Sequence, residues 1–390
     1  MKKFNSRRKF IKNSMMMGMA LPVLGNSLIS CTSKSGEADS QSGKKLSILI
    51  LGGTSFLGPH QIAAAMAKGH SVTTFTRGKT KPTIHQELFK DVEPLIGYRE
   101  SDLTALENRQ WDVVIDNSGQ NSEWTKNSAN LLKDNVGLYL YTSSTGVYYP
   151  YLEAGVDEDT PVLLEDPVDP ENTDPNRKDS YGVMKAKSER ATIEAFGADR
   201  SIISRPTYMT GPADKTDRFI YWPVRLSRGG EIMVPGKPED PVQYIDVRDV
   251  AEWNIRTLEE KTTGTFNAIG PANPEAMMEF VNKAKAGFDA ESTFINIDDY
   301  QFLKDNGVSY IIPWIMPEGD YYGSARISNQ RAIKSGLTFR DLKETLTDTY
   351  EWWNSDVLTQ ERRDQFEQKP ESILIREQSI IESWKEFKKA

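Results

Sequence analysis

Tyr181 and Lys185 stand four residues apart in Tyr-Gly-Val-Met-Lys, at the head of a stretch to Phe196 with good helical composition. Residues i and i+4 share a helix face, so phenol and ammonium point the same way. A free phenol titrates near pH ~10. Bringing one down by about three units takes roughly 4 kcal/mol, which a desolvated site with a neighbouring ammonium can supply. Such a pair could take the proton of a substrate hydroxyl and return it. Alone the spacing is common, and an exposed helix face accounts for it equally well. Two other segments make it more specific. Ser143 and Ser144 follow an apolar run, Leu138 to Thr142, and precede Thr145-Gly146-Val147-Tyr148. A hydroxyl there can hold a reacting substrate oxygen, or it can simply cap a strand. Gly52-Gly53-Thr54-Ser55-Phe56-Leu57-Gly58 follows another apolar run ending at Leu51 and leads into a helix-like stretch, Gln61 to Lys68. Strand, glycine turn and helix in that order are what a dinucleotide phosphate site needs. Gly52 permits the tight turn, Gly58 close packing of helix on strand, and the helix N-terminus faces the pyrophosphate.

The elements that must position these groups are legible around them. Further buried-strand runs, Ser71 to Thr76, Trp111 to Ile115 and Ser201 to Ser204, alternate with helical stretches such as Glu123 to Lys133. That alternation implies a parallel sheet with helices on both faces. The second strand ends in Arg77-Gly78-Lys79, where an NAD-selective site usually carries an acid for the ribose hydroxyls. Arginine can pair with a 2′-phosphate, so the residue types lean toward NADP. A solvated basic loop is an equally good reading.

Glycine turn, Ser144 and Tyr181/Lys185, in this order, resemble the extended short-chain dehydrogenases, closest to the NAD-dependent epimerase/dehydratase branch. That branch includes bacterial proteins labelled chloroplast stem-loop-binding-like. The resemblance spans roughly residues 45–355. It implies an α/β, Rossmann-type doubly wound parallel sheet, with a smaller C-terminal substrate-binding region. It places Gly52, Gly53, Thr54, Ser55, Phe56, Leu57 and Gly58 at the phosphates, with Ser55 standing where the family has its middle glycine. Ser101-Asp102-Leu103 resembles the adenine segment, so Asp102 and Leu103 are expected there. Asn117 and Ser118 would pass beneath the cofactor, with Thr142 and Pro206 nearby. Aligned on Val147-Tyr148, Ser144 matches the catalytic serine or threonine, and Lys185 would also hold the nicotinamide ribose. Tyr244 to Ala251 resembles a further family segment, in which Asp249 is expected to cap the helix carrying Trp253. Trp314, in Pro-Trp-Ile-Met-Pro, is either a stacking surface for a sugar or part of a packed turn. The acidic, proline-rich stretch from Tyr149 to Ser180 reads as a solvated excursion.

Composition bounds the rest. With 38% hydrophobic and 27% charged residues, the 390-residue chain suits an ordinary globular protein. Residues 1–31 hold six Lys/Arg and no acid; subtracting those six charges from the formal −8 leaves −14 for the remainder. So acidic a surface repels phosphate backbones, which argues against nucleic acid as a partner. One cysteine excludes a disulfide framework, and three scattered histidines, His60, His70 and His85, point to no metal site. Ser-Arg-Arg-Lys-Phe-Ile-Lys at 6–12 resembles a twin-arginine export signal, and Leu28-Ile29-Ser30-Cys31 a bacterial lipobox whose cysteine is acylated. The apolar stretch between them is too short and broken to span a membrane as a helix.

The expected organisation is a signal peptide over 1–31, a flexible tether over 32–45 and a dinucleotide-binding domain over 46–205. A substrate region over 206–355, with segments returning to the sheet, and a C-terminal helical extension over 356–390 complete it. The twin-arginine route carries folded proteins, and soluble cofactor is not replenished outside the cytoplasm. Tightly bound NAD(P) and redox-neutral chemistry on a sugar or glycoside, such as epimerisation or elimination, are therefore expected. The protein would sit lipid-anchored on the outer side of a bacterial membrane, either alone or as a homodimer. A dehydrogenase with exchangeable cofactor and a non-catalytic nucleotide- or RNA-binding protein are the alternatives.

Overall fold

The computed structural model describes residues 44–117, 119–167 and 179–389. Its strands are β1 (Ser47–Leu51), β2 (Ser71–Thr76), β3 (Glu93–Ile96), β4 (Trp111–Asp116), β5 (Val136–Thr142), β6 (Ser201–Ser204), β7 (Met209–Thr210), β8 (Gly230–Pro235), β9 (Pro241–Asp246), β10 (Gly264–Phe266), β11 (Gly270–Ala276) and β12 (Ser292–Ile297). The longer helices are α1 (Leu57–Ala67), α2 (Ser122–Leu132), α3 (Tyr181–Phe196), α4 (Tyr221–Arg228), α5 (Val247–Glu260) and α6 (Met277–Lys285). After them come α7 (Tyr300–Asp305), α8 (Gln330–Lys334), α9 (Leu342–Trp353), α10 (Gln360–Glu367) and α11 (Ile373–Phe387).

Seven strands form one parallel sheet in the order β10-β6-β5-β4-β1-β2-β3. Strand side chains alternate between faces, and here both faces are apolar, as an all-parallel sheet requires. Ile48, Ile50, Leu138 and Leu140 pack with α1 and α5. Leu49, Leu51, Tyr139 and Tyr141 pack with α2 and the end of α3. Chain order reverses between β1 and β4, and in such sheets the crevice beyond the strand ends at the reversal is where ligands bind.

The chain after β6 builds a second core around β8, β9, α4, α6 and α9, while β10 returns to the edge of the large sheet. The last helix belongs to this core and is no appendage: Leu374, Ile380, Ile381 and Trp384 of α11 are buried in it. Glu377 of α11, itself buried, accepts from the Tyr221 hydroxyl (2.8 Å) and the Met233 amide (2.7 Å) and pairs with Arg225. The charged composition of residues 356–390 conceals this, because the apolar positions fall on one face only. No helix among the described residues is long and apolar enough to cross a membrane.

Two expectations change. Residues 151–164 are a packed strap: Tyr151, Val156, Val162 and Leu164 lie against Val147, Tyr148, Ile269 and Ile327. Buried Glu158 in the strap accepts from the Asn267 amide (2.7 Å). The solvated excursion is thus excluded for this part; residues 168–178 lie outside the described residues. The cap of α5 is Asp246, whose carboxylate accepts from the Arg248 amide (2.7 Å), whereas Asp249 is bound to the Arg340 amide (2.9 Å) and guanidinium. Both Asp249 oxygens are taken by Arg340, so neither is left for the amides of the first turn.

Candidate active site

A cleft of about 660 Å³ opens at the carboxyl ends of the strands, along the chain reversal. Gly52 to Leu57 follow β1, Arg77 and Lys79 follow β2, and Gly97 to Glu100 follow β3. Asn117 after β4 and Thr142 at the end of β5 line the same cleft, and Met209 and Lys215 close it from the other side. Gly52 and Gly53 hold φ of 103° and 104°, a region that excludes ordinary side chains. A Cβ on Gly58 would lie 2.5 Å from the Gly53 carbonyl carbon and 2.6 Å from its oxygen. The first turn of α1 is therefore pressed onto the glycine loop. Its N-terminal amides and positive dipole end face the cleft, which suits a pyrophosphate. Ser55 lines the cleft with the rest of the loop.

Residues expected at the cofactor separate into two groups. Gly52 to Leu57, Arg77, Asn117 and Thr142 line the cleft, and Gly58 shapes it from behind. The Thr142 hydroxyl donates to Asn117 (2.7 Å), whose amide donates to Gln61 on α1 (2.6 Å), so the floor is cross-linked. Asp102 and Leu103 do not reach the lining. Tyr98 and Asp102 pair across a tight turn, and the Asp102 carboxylate is spent on the Thr104 amide (3.1 Å). Tyr98 and Arg99 stand in the cleft in their place, a turn that sequence alone did not reveal. Pro206 is buried, and its carbonyl accepts from the Thr145 amide (3.0 Å). Ser118 and Cys31 lie outside the described residues. The Arg77 side chain makes no hydrogen bond or ion pair with any described residue, whereas Arg99 is locked on Asp116 at 2.7 and 2.9 Å.

At the far end the acid–base group comes together. Tyr181 is the first residue of α3 and is exposed, while Lys185 one turn later is buried. The Lys185 ammonium donates to the Thr142 carbonyl (2.9 Å) and lies 4.9 Å from the Tyr141 ring centre and 5.9 Å from that of Tyr181. Burial alone would lower its pKa; the Tyr141 and Tyr181 phenols outweigh it and raise the pKa above the ordinary lysine value. Lys185 thus stays charged beneath Tyr181, as phenolate stabilisation requires.

Ser144 is the serine that faces Tyr181. A Cβ on Gly146 would lie 2.9 Å from Tyr181 Cε1 and 3.3 Å from Ser144 Oγ, so hydroxyl and phenol ring flank one point. A Cβ on Gly182 would run into the Gly146 carbonyl oxygen. This glycine pair lets α3 approach the serine turn, a signal present in the sequence and unread there. Ser143 is committed elsewhere. It donates to Glu189, which holds Arg205 at 2.7 and 2.9 Å; Arg205 in turn donates to the Tyr148 hydroxyl (2.6 Å).

Cleft, glycine loop, serine and Tyr/Lys pair now stand in one frame, and residues 48–269 match the NAD dependent epimerase/dehydratase family. The chain belongs to that family. It is 28% identical over 323 residues to the chloroplast stem-loop binding protein of 41 kDa b from Arabidopsis thaliana, covering 78% of each chain. UDP-glucuronic acid 4-epimerase from Bacillus cereus, in complex with NAD, shares the fold. Its TM-score is 0.52 and identity 16%, over 78% of this chain and 98% of that one. So does dTDP-glucose 4,6-dehydratase from Bacillus anthracis in complex with NAD, with TM-score 0.55 and identity 14%, over 80% and 98%.

Packing decides two other points. Trp314 is fully buried, its indole N–H donating to Asp240 (2.8 Å), so of its two readings the packed turn holds and it offers no face to a sugar. The histidines are not all scattered: His60 and His85 meet ring to ring at 5.4 Å. Burial above all, with a contribution from His85, lowers the His60 pKa to about 4 although its Nε2 meets the Pro212 carbonyl (3.1 Å). Among the described residues no group of three or more His, Cys, Asp or Glu could hold a metal ion.

Proposed function

We propose that this protein is an exported, lipid-anchored enzyme that acts on a sugar or glycoside by transient oxidation at a hydroxyl carbon, with NAD(P) tightly bound. The observation that carries the reading is the placement of Tyr181 and Ser144 around one point, with Lys185 charged beneath them and tied to the cleft floor through Thr142. The glycine loop and α1 N-terminus would hold the pyrophosphate, and Lys185 the nicotinamide ribose. The dinucleotide, when bound, accepts and returns hydride. Ser144 orients the substrate hydroxyl by hydrogen bond, Tyr181 removes its proton, and Lys185 stabilises the phenolate electrostatically. Reversal of the same proton transfer closes the cycle without net redox change. Support for a sugar comes from the family and from the activities that the names of its fold neighbours carry. Arg77, without a hydrogen-bond or ion-pair partner among the described residues at the end of β2, favours a 2′-phosphate, while the neighbours named above were solved with NAD.

The test is direct. Acid release from the purified protein followed by mass spectrometry should yield one dinucleotide per chain and show whether it bears the 2′-phosphate. Tyr181→Phe should keep the ligand and fold and lose turnover. An empty chain that gains no melting temperature from NAD or NADP, or a Tyr181→Phe variant with undiminished turnover, overturns the reading.

A further inference from the structure

Beside Tyr181 the surface carries tyrosines that neither the cofactor cleft nor the acid–base group uses. Tyr149 and Tyr321 are 42% and 43% exposed, large fractions for aromatic side chains. Their ring centres lie 5.7 Å apart, and Tyr151 sits 5.9 Å from Tyr149 and 6.3 Å from Tyr321. These rings border the acid–base group: the Tyr149 amide donates to the Gly146 carbonyl (3.2 Å), and Gly146 lies against the Tyr181 ring, 2.9 Å from Cε1 to the point a Cβ would take. The patch is held firmly from beneath. The Tyr151 amide donates to the Asp320 carbonyl (2.8 Å), and the Gly323 amide returns to the Tyr151 carbonyl (2.7 Å). Two segments about 170 residues apart in the chain are thus laced together under the rings.

We propose that Tyr149 and Tyr321, backed by the packed ring of Tyr151, form a stacking shelf for the pyranose rings of a neutral glycoside or oligosaccharide, one ring of which is delivered to Tyr181. The inference rests on the function proposed above and names its substrate class. Contiguous exposed aromatics mark binding surfaces, and their flat faces with hydroxyl rims suit a ring that is apolar on its faces and polar at its edge. Charge argues against a nucleotide-linked sugar on the shelf. The Asp320 carboxylate accepts from the Tyr149 hydroxyl (3.1 Å) and has no Lys or Arg partner among the described residues, so it would repel a diphosphate. Arg326 is engaged, donating to the Tyr322 carbonyl with its guanidinium 4.4 Å from the centre of that ring. The shelf is open to solvent, which leaves room for rings on either side of the reacting one.

Calorimetric titration of the full-length, dinucleotide-loaded Tyr181→Phe protein tests the inference without turnover. The ligands are cellobiose, cellotriose, maltose, maltotriose and UDP-glucose. At least one neutral sugar should bind more tightly than UDP-glucose, with the trisaccharide ahead of its disaccharide. Tyr149→Ala and Tyr321→Ala should each weaken that sugar by about 5- to 10-fold. Tyr321→Phe should restore it to within about 2-fold, and dinucleotide affinity should not change. Tighter binding of UDP-glucose, no binding of any neutral sugar, or undiminished affinity in both alanine variants overturns the shelf. The proposed function stands or falls separately, on bound dinucleotide and on turnover in Tyr181→Phe.

Discussion

Gly58→Ala probes the contact on which the dinucleotide site is built. The added methyl would sit 2.3 Å from the Gly53 Cα and 2.5 Å from its carbonyl carbon, where ordinary contact begins at 3.4 Å. Glycine loop and helix α1 must therefore part by about 1.1 Å, and neither is a flexible side chain end. Overpacking of this kind costs about 1–3 kcal/mol. Unfolding entropy of roughly 2.1 cal/mol/K per residue sets about 1.4 °C per kcal/mol for a body of this size, so the melting temperature should fall by roughly 1.5–4 °C. Binding should suffer more. Hydrogen bonds to a charged group contribute about 1.5–3 kcal/mol each, and losing two of them to the pyrophosphate weakens binding at least about 100-fold. Stripped parent and variant would be titrated with NAD and NADP by calorimetry, and melted with and without ligand. Gly287→Ala, whose new methyl meets nothing nearer than 3.4 Å, serves as the control and should match the parent in both assays. A Gly58→Ala protein that binds within about 3-fold of the parent and melts with it would refute the reasoning that this cleft holds pyrophosphate on the glycine loop.

Three further outcomes are expected. Ser144→Ala should cut turnover by about 10²- to 10³-fold with dinucleotide binding intact, while Ser143→Ala should cost about 1 kcal/mol of stability and leave turnover within a few-fold; the reverse pattern would reassign the catalytic serine. His60 titrates near 4 in the fold and near 6.5 when unfolded, so between those values the unfolded chain binds the extra proton. Stability is then complete above pH 6.5 and falls by about 3 kcal/mol as pH drops to 4; melting curves of His60→Asn should lack this decline, and an identical decline would remove His60 as its cause. Cys31→Ser should leave the membrane fraction, and Arg7→Lys with Arg8→Lys should hold the protein in the cytoplasm; equal fractionation of all three proteins would end the export proposal.

The parts of the site that rest on local backbone rules were legible in the chain itself. A glycine turn between strand and helix, a serine after a strand, and Tyr181/Lys185 one helical turn apart are short-range patterns, and the structure forms each. The parallel sheet was legible for the same reason, since strands buried on both faces read as unbroken apolar runs. Where the reading failed, the causes differ in range. Asp102 is drawn off the cleft by a tight local turn with Tyr98, whereas Asp249 is claimed by Arg340, 91 residues away. The acidic strap at 151–164 carries scattered apolar residues with no period, and what they cover includes Ile269 and Ile327, more than a hundred residues on.

By itself, then, the sequence determined the family, the sheet and the acid–base pair, because their signals are spacings of a few residues set by helix and strand geometry. Only tertiary structure decided where each serine hydroxyl goes: Ser144 accepts from the Gly146 amide (3.0 Å) beside Tyr181, while Ser143 donates to Glu189. Ser143 and Ser144 are chemically identical neighbours, and extended backbone turns them to opposite sides. One side holds buried Glu189 and Arg205, which capture Ser143; the other opens beside Tyr181. Those partners come from α3 and from the residue after β6, more than forty residues downstream, so no local pattern could reveal them, although the family resemblance already pointed to Ser144.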